Sequence, residues 1–213
     1  MGAKVREIKQ PRAYRTRNRI LRTARRLFAL KGYHETKLAE VLRVARVSAG
    51  AFFHHFNSKE ELGFAVIDFH MEERRRELQQ IEKQMEKSPA EDDPLSQLLR
   101  RLDAVKALVR QVTQRKGGCP IGNLSLAFSD THDAFRRRLA ECFDEMALDF
   151  KPYLDAAVKR RRVGEQVDTW PLARYLVAML QGSIMLARTR QDRQMLRHNV
   201  DYAKEYLKSV LRV

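Results

Sequence analysis

LAEVLRVARVSAGAFFHHFNSKEEL, Leu38 to Leu62, is the stretch whose spacing decides how this chain folds. Leu38, Val41, Leu42 and Ala45 recur at helical intervals on one face, and Thr36 stands ahead of them as a candidate N-cap for the orphan amides of a first turn. Arg46 and Val47 interrupt that pattern. Ser48 offers a second N-cap, and Ala49 to Phe56 is expected to form a second short helix with Phe52 and Phe56 four residues apart. Two short helices joined so tightly must cross at a steep angle, the helix-turn-helix arrangement, whose second helix is the one a DNA major groove accepts. Ser58 and Glu61 then form an S-x-x-E capping box that opens a third, longer helix.

Upstream, the pattern is helical from Arg15. Ile20, Ala24, Leu27 and Phe28 share an apolar face, and Gly32 is placed to close the helix as a left-handed residue. Arg22, Arg25 and Arg26 read as a solvated face, whereas Arg15 and Arg19, nearer the helix start, are placed to meet phosphate. Residues 1–13 read as a basic arm that either tracks a phosphate backbone or is simply disordered. The formal net charge of +15 favours a polyanionic partner, although an anionic membrane surface or a ribosomal setting would suit the total equally well. Distribution is more informative: residues 1–31 hold eleven Lys and Arg against the single acid Glu7, a net of +10, next to the helix-turn-helix.

The run YHETKLAEVLRVARVSAGAFFHHFNSKEEL resembles the N-terminal DNA-binding domain of the TetR/AcrR family of transcriptional regulators, over about Arg17 to Leu62. Lys31-Gly32-Tyr33, Val47-Ser48, His55-Phe56 and Ser58 to Leu62 all lie in the family's order. The resemblance has two departures. The family usually has glycine where Arg46 stands, so a left-handed Arg46 carries about 1–2 kcal/mol of strain. It also usually has tyrosine where Phe53 stands, and Phe53 cannot donate the hydrogen bond such a tyrosine gives to phosphate. The DNA-binding domain is expected over 14–74, with the helix-turn-helix at 37–56. Thr36, Ser48, Gly50, Phe53, His55 and Lys59 are expected at the DNA backbone, and Lys37, Ala49, Ala51 and His54 toward base edges. Ala49 and Ala51 can touch a thymine methyl but cannot make the bidentate bonds of Arg or Gln, so operator deformability is expected to carry part of the readout.

Beyond Ser58 the third helix runs to about Lys87, with Leu62, Ala65, Val66, Phe69, Leu78, Ile81 and Met85 apolar along it. The acidic stretch Ser88 to Asp93 breaks it, and Asp93-Pro94 supplies an N-cap and first-turn proline for a helix from Leu95 to about Gln114. KGGCPIGN, Lys116 to Asn123, is irregular, with three glycines and a proline; with no preceding strand and no GK[ST] ending it is not a phosphate loop. GCPIGNL with its following Ser-Asp resembles, more weakly, the effector domain of some TetR/AcrR members. Helices are expected over Ile121 to Phe128, Thr131 to about Arg161 and Thr169 to Thr189, with Gly164 ending the second and Pro171 in the first turn of the third. No alternating strand pattern occurs. The fold class is therefore all-α: an N-terminal three-helix helix-turn-helix domain followed by a C-terminal helical ligand-binding and dimerisation domain over 75–213.

Leu172 to Ala187 is apolar nearly all round, and Leu196, Val200, Ala203, Leu207 and Val210 form a seam at spacings of four, three, four and three. Both features either pack within one subunit or join two. Together with the resemblance they lead to an expected homodimer built on Leu176, Leu180, Gly182, Ile184 and that seam, with Gly182 permitting close approach. Cys119, Phe128, Met146, Phe150, Tyr153, Trp170, Tyr175 and Met179 are candidates to line an effector pocket, although each singly suits a core.

His54 and His55 are adjacent and about 100° apart on a helix, so they cannot ligate one metal together. The two cysteines, Cys119 and Cys142, make neither a disulfide framework nor a metal spacing, and no cofactor is expected. Cys119 is either a thiol sensor or a buried small hydrophobe, and an enzyme using it as nucleophile lacks a supporting His or acid nearby. No run of about 18 apolar residues spans a bilayer, no secretory signal is expected, and cytoplasm is the expected compartment. The reading is of a non-enzymatic regulator, a repressor, that binds a palindromic double-stranded operator as a homodimer and is released by a small-molecule effector.

Overall fold

The computed structural model describes residues 11–85, 93–114, 117–161, 167–192 and 194–211. Ten helices account for its regular structure, and no strand occurs among the described residues: α1 (Pro11–Lys31), α2 (Leu38–Ala45), α3 (Ala49–Phe53), α4 (Lys59–Met85), α5 (Pro94–Gln114), α6 (Pro120–Phe128), α7 (Asp133–Ala147), α8 (Lys151–Arg161), α9 (Thr169–Arg190) and α10 (Met195–Val210). The basic segment 1–10, the acidic connection 88–92 and Gly164 lie outside the described residues.

The chain buries two cores. Ile20, Leu21, Ala24, Leu27 and Phe28 of α1 close over Val41, Ala45, Phe52, Phe56, Leu62 and Val66 to make the head. The body core begins at the next residue of α4, Ile67, and continues through Met71 and Leu78 into α5 to α10. Neighbouring residues of one helix thus face different cores, so α4 is structural property of both halves.

The structure departs from the sequence expectations at several local points. Residues 11–13 belong to α1 and not to the expected basic arm: the helix begins at Pro11, where a proline lacks only an amide that would be orphaned anyway. Lys37, not Thr36, occupies the N-cap position of α2, without a side-chain cap. α3 ends at Phe53 rather than Phe56, although one more helical bond, from the Phe56 amide to the Phe52 carbonyl at 2.9 Å, brings Phe56 into the core. The single helix expected over 131–161 is two: α7 stops at Ala147 and α8 starts at Lys151. Pro152 supplies the reason, since it has no amide to donate and its ring would crowd the Leu148 carbonyl of a continuous helix.

The dimer seam is also corrected. Leu196, Val200, Ala203 and Leu207 are each at most 3% exposed, and Leu176, Leu180 and Ile184 at most 5%. They pack α9 and α10 on each other and on α5 within one chain, and Val210 packs partly buried against the same core. Gly182 lies beside open space, where an added Cβ would meet nothing within 4 Å. A second stripe takes the outer side: Pro171, Tyr175, Ala178, Gly182, Met185 and Thr189 on α9, and Tyr202 and Tyr206 on α10. Met185 is 57% and Tyr202 75% exposed, and the Tyr175 and Tyr206 rings meet edge-on at 5.4 Å to join the two helices' stripes.

Candidate nucleic-acid interface and effector cavity

The turn between α2 and α3 is closed by backbone bonds. Val47 N–H donates to the Leu42 carbonyl at 3.1 Å and Arg46 N–H to the Arg43 carbonyl at 3.2 Å, a Schellman pair. This closure requires Arg46 to be left-handed, and it is, at φ 52 and ψ 51. Ser48 Oγ accepts from the Ala51 amide at 3.2 Å and starts α3. Phe52, fully buried, pins α3 to the head core. At the start of α4, Ser58 Oγ accepts from the Glu61 amide at 3.0 Å, while the Glu61 carboxylate accepts from the Asn57 amide at 2.7 Å, one residue earlier than a strict capping box.

With Phe52 and Phe56 turned inward, the outer side of this unit carries Lys37, Ser48, Ala49, Gly50, Phe53 and His54, all exposed, while Ala51, His55 and Lys59 are partly so. Nothing in the chain needs Gly50 to be glycine, because a Cβ there would meet open space. Phe53, 54% exposed, rests edge-on against Phe52. His55 is held below the ordinary imidazole range by burial first, then by the charges of His54 and Arg17. Lys59 lies over the Tyr33 ring at 4.2 Å and donates to the His34 carbonyl at 3.4 Å; its partial burial holds its ammonium below the ordinary lysine range.

Thr36 does not belong to this surface. It is fully buried, and its hydroxyl donates to the Gly32 carbonyl at 2.8 Å, so it fastens the α1–α2 turn. Arg25 leaves the expected solvated face too, pairing with Glu73 of α4 beneath the Phe69 ring.

Head and body meet through an aromatic stack and one amide. Phe135 stacks between Phe64 and Phe128, each at 4.1 Å, and Tyr33 of the head meets Phe128 at 4.7 Å. Asn123 Nδ2 donates to the Ala29 carbonyl of α1 at 3.0 Å and to the Gly117 carbonyl at 2.7 Å.

A cavity lies in the body between α4, α5, α7 and α9. Cys119, Met146 and Phe150, three of the sequence's candidates for an effector pocket, line it. Five other candidates stand elsewhere. Phe128 belongs to the head–body stack, Trp170 lies under the Arg174 guanidinium at 4.7 Å, and Tyr175 is on the outer stripe. Tyr153 and Met179 pack against the body core. The residues missed follow helical stripes: His70, Arg74 and Glu77 on α4, Val105, Leu108 and Val109 on α5, and Val177, Leu180, Gln181 and Ile184 on α9. A histidine and an arginine four apart on the buried side of α4 are the signal that could have located this wall. Among the described residues no cluster of His, Cys, Asp or Glu could hold a metal, and no helix is long and apolar enough to cross a membrane.

A two-core all-α chain whose smaller core presents a helix-turn-helix is the architecture of a DNA-binding transcriptional regulator. The family comparisons agree: residues 20–66 match the bacterial regulatory proteins of the tetR family, and residues 94–203 match the tetracyclin repressor-like C-terminal domain. The chain belongs to the TetR family of transcriptional regulators. It is 29% identical, over 92% of its length and 94% of the relative's, to an uncharacterised HTH-type transcriptional regulator in the lacX 3' region of Lactococcus lactis. It is 25% identical, over 84% and 86%, to the HTH-type transcriptional repressor DhaR of a Mycobacterium species. Among solved structures, a TetR transcriptional regulator from Chloroflexus aurantiacus shares the fold with a TM-score of 0.77 at 23% identity, over 93% of this chain and 97% of that one. E. coli NemR in its reduced form shares it at 0.68 and 21%, over 89% and 96%.

Proposed function

We propose that this regulator is a cytoplasmic homodimeric repressor that reads a palindromic operator and is released when a small molecule enters the body cavity. The single observation that carries this reading is the outer side of α3. Ser48 to Gly50, Phe53 and His54 are turned to solvent on a helix whose inner side is fixed by Phe52, and apart from the Ser48 cap and the edge contact of Phe53 the head core does not draw on them. Ser48, Gly50, Phe53, His55 and Lys59 serve the DNA backbone, and Lys37, Ala49, Ala51 and His54 face the bases.

The partner subunit is a second copy seated on the stripe from Tyr175 to Met185 and from Tyr202 to Tyr206. Apolar aromatic surface of this kind is expensive to leave in water, and Gly182 lets two helices approach closely. Such a pairing sets two heads about 34 Å apart, one turn of duplex. An effector acts only through unequal affinity for the two arrangements of the heads. α4 is the natural carrier, since it lines the cavity and also completes the head core.

Selection of bound fragments from genomic DNA, followed by footprinting, tests the whole reading. The expected result is two protected half-sites related by a dyad, weakened by His55→Ala and Lys59→Ala. Sedimentation should give a dimer that Tyr206→Asp converts to monomer. A monomeric wild-type chain, or equal affinity for all duplexes, rejects it. A reporter placed behind the selected operator separates repression from activation.

A further inference from the structure

The body cavity has a volume of about 60 Å³. At about 10–15 Å³ for one water-sized sphere, it has room for about four to six of them.

Its walls divide by chemistry. α5 and α9 contribute aliphatic surface through Val105, Leu108, Val177 and Ile184, and Phe150 adds an aromatic one. α4 contributes the groups that can carry charge, but Arg74 already pairs with Asp149 and the nearby Arg25 with Glu73. An entering carboxylate would therefore have to compete with those acids, and Glu77 on the same wall opposes it. An ammonium would meet Glu77, but beside the cations that already depress His70. His70, enclosed beside Arg25 and Arg74, has its own imidazole pushed down to about 3, by burial first and by those two cations next. A carboxylate brought out of water here finds no open counter-charge, and an ammonium finds Glu77 only on the wall that Arg74 also occupies.

Two polar groups of the lining lack adequate partners: His70 Nδ1 has none among the described residues, and Gln181 is the one that faces the sulfur atoms. Its Nε2 donates to Cys119 Sγ at 3.5 Å and Met146 Sδ at 3.9 Å. Thiol and thioether sulfur are weak acceptors, so a full amide donor is held among apolar groups with inadequate partners. Its Oε1 lies against Gly122, only 2.9 Å from where a Cβ would stand, so the amide occupies space that glycine leaves open.

We infer that the cavity takes a small uncharged organic molecule bearing one carbonyl oxygen, which accepts from Gln181 Nε2 while the aliphatic body rests against α5 and α9. The inference rests on the proposed effector role of the cavity. Oxygen replaces sulfur as the acceptor, and the apolar remainder leaves water for aliphatic walls, so both exchanges favour binding. Ionised analogues of the same shape are refused.

Calorimetric titration of the full chain with cyclopentanone, cyclopentanecarboxylate and cyclopentylammonium tests this. Cyclopentanone is expected to bind, and the two ions at least tenfold more weakly. Gln181→Leu, which keeps the volume and removes the donor, should weaken cyclopentanone at least tenfold with the thermal unfolding transition retained. Gln181→Glu, which keeps the shape and replaces the donor with an acceptor, should show the same loss. Tighter binding of either ion, unchanged affinity in a folded Gln181 variant, or no binding of any probe overturns the inference. DNA affinity is read separately. If cyclopentanone binds with these preferences but leaves operator affinity unchanged, the cavity chemistry stands and its regulatory role falls. If the chain prefers no DNA sequence at all, the regulator reading fails while the titrations still judge the cavity.

Discussion

Arg101 donates twice to Asp149, from Nη2 to Oδ1 at 2.6 Å and from Nε to the backbone carbonyl at 3.0 Å. Asp149 lies in the break between α7 and α8, and its other oxygen takes the Arg74 guanidinium of α4. One carboxylate, 14% exposed, thus ties α4 and α5 to the point where the α7–α8 rod bends. Removing it leaves two guanidinium groups short of a partner in a site with little water. Asp149→Ala should cost about 3 kcal/mol in urea unfolding. Arg136→Ala, which breaks an exposed pair with Asp133, should leave the unfolding midpoint nearly unchanged. Equal effects of the two would show that the buried group is not a structural tie.

At Gly63 helix propensity and packing pull in opposite directions. Helix propensity alone says that alanine at an interior position of α4 gains about 1 kcal/mol over glycine. Space says otherwise: a Cβ there would stand 2.8 Å from Phe135 Cζ and 3.1 Å from Tyr33 Cε2. Both rings belong to the stack that holds the head on the body, so neither can yield without opening it. Gly63→Ala is expected to destabilise by about 1–3 kcal/mol, as overpacking does. A gain in unfolding midpoint would show that the stack is loose.

The head was legible because its determinants are local. Ser48, Ser58 and the Phe52–Phe56 pair act within one or two turns, and the structure places each in the core or cap position its spacing implies. Thr36 is ambiguous in the sequence because a hydroxyl ahead of a helix can cap forward or bond backward, and only the Gly32 turn decides which. In the body, Leu196, Val200, Ala203 and Leu207 have the spacing of a seam, but periodicity tells that a helix packs and not against which partner. Their partners, α5 and α9, are fixed by long-range topology. The cavity was least legible, since Gln181, His70 and Cys119 converge from three distant segments and no pairwise spacing links them.

Arg46 keeps a left-handed backbone on a residue with a Cβ, at φ 52. Its carbonyl accepts from Arg19 Nη2 at 3.4 Å, a contact that any residue at this position retains. Arg46→Gly should therefore remove about 1 kcal/mol or more of strain, less whatever the looser unfolded chain takes back. A higher denaturant midpoint is the expected result. Weaker operator binding in the same variant would show that the exposed guanidinium serves the phosphates.

His55 links operator binding to pH, with a definite sign. In the free protein its imidazole is held below the ordinary value by burial and by His54 and Arg17. A phosphate placed against it favours the charged form and raises its pKa in the complex. The complex then binds more protons than the free partners do, so affinity is strongest at low pH and is lost as pH rises through the raised value. The window spans the gap between the depressed free value and the raised bound one, around the ordinary imidazole value of about 6.5. Measured on the selected operator from about pH 8 to about pH 5.5, the logarithm of affinity should climb toward the acid side in the wild type. His55→Gln should flatten that slope and leave the climb due to other groups. An unchanged slope in that variant would place His55 away from the phosphates.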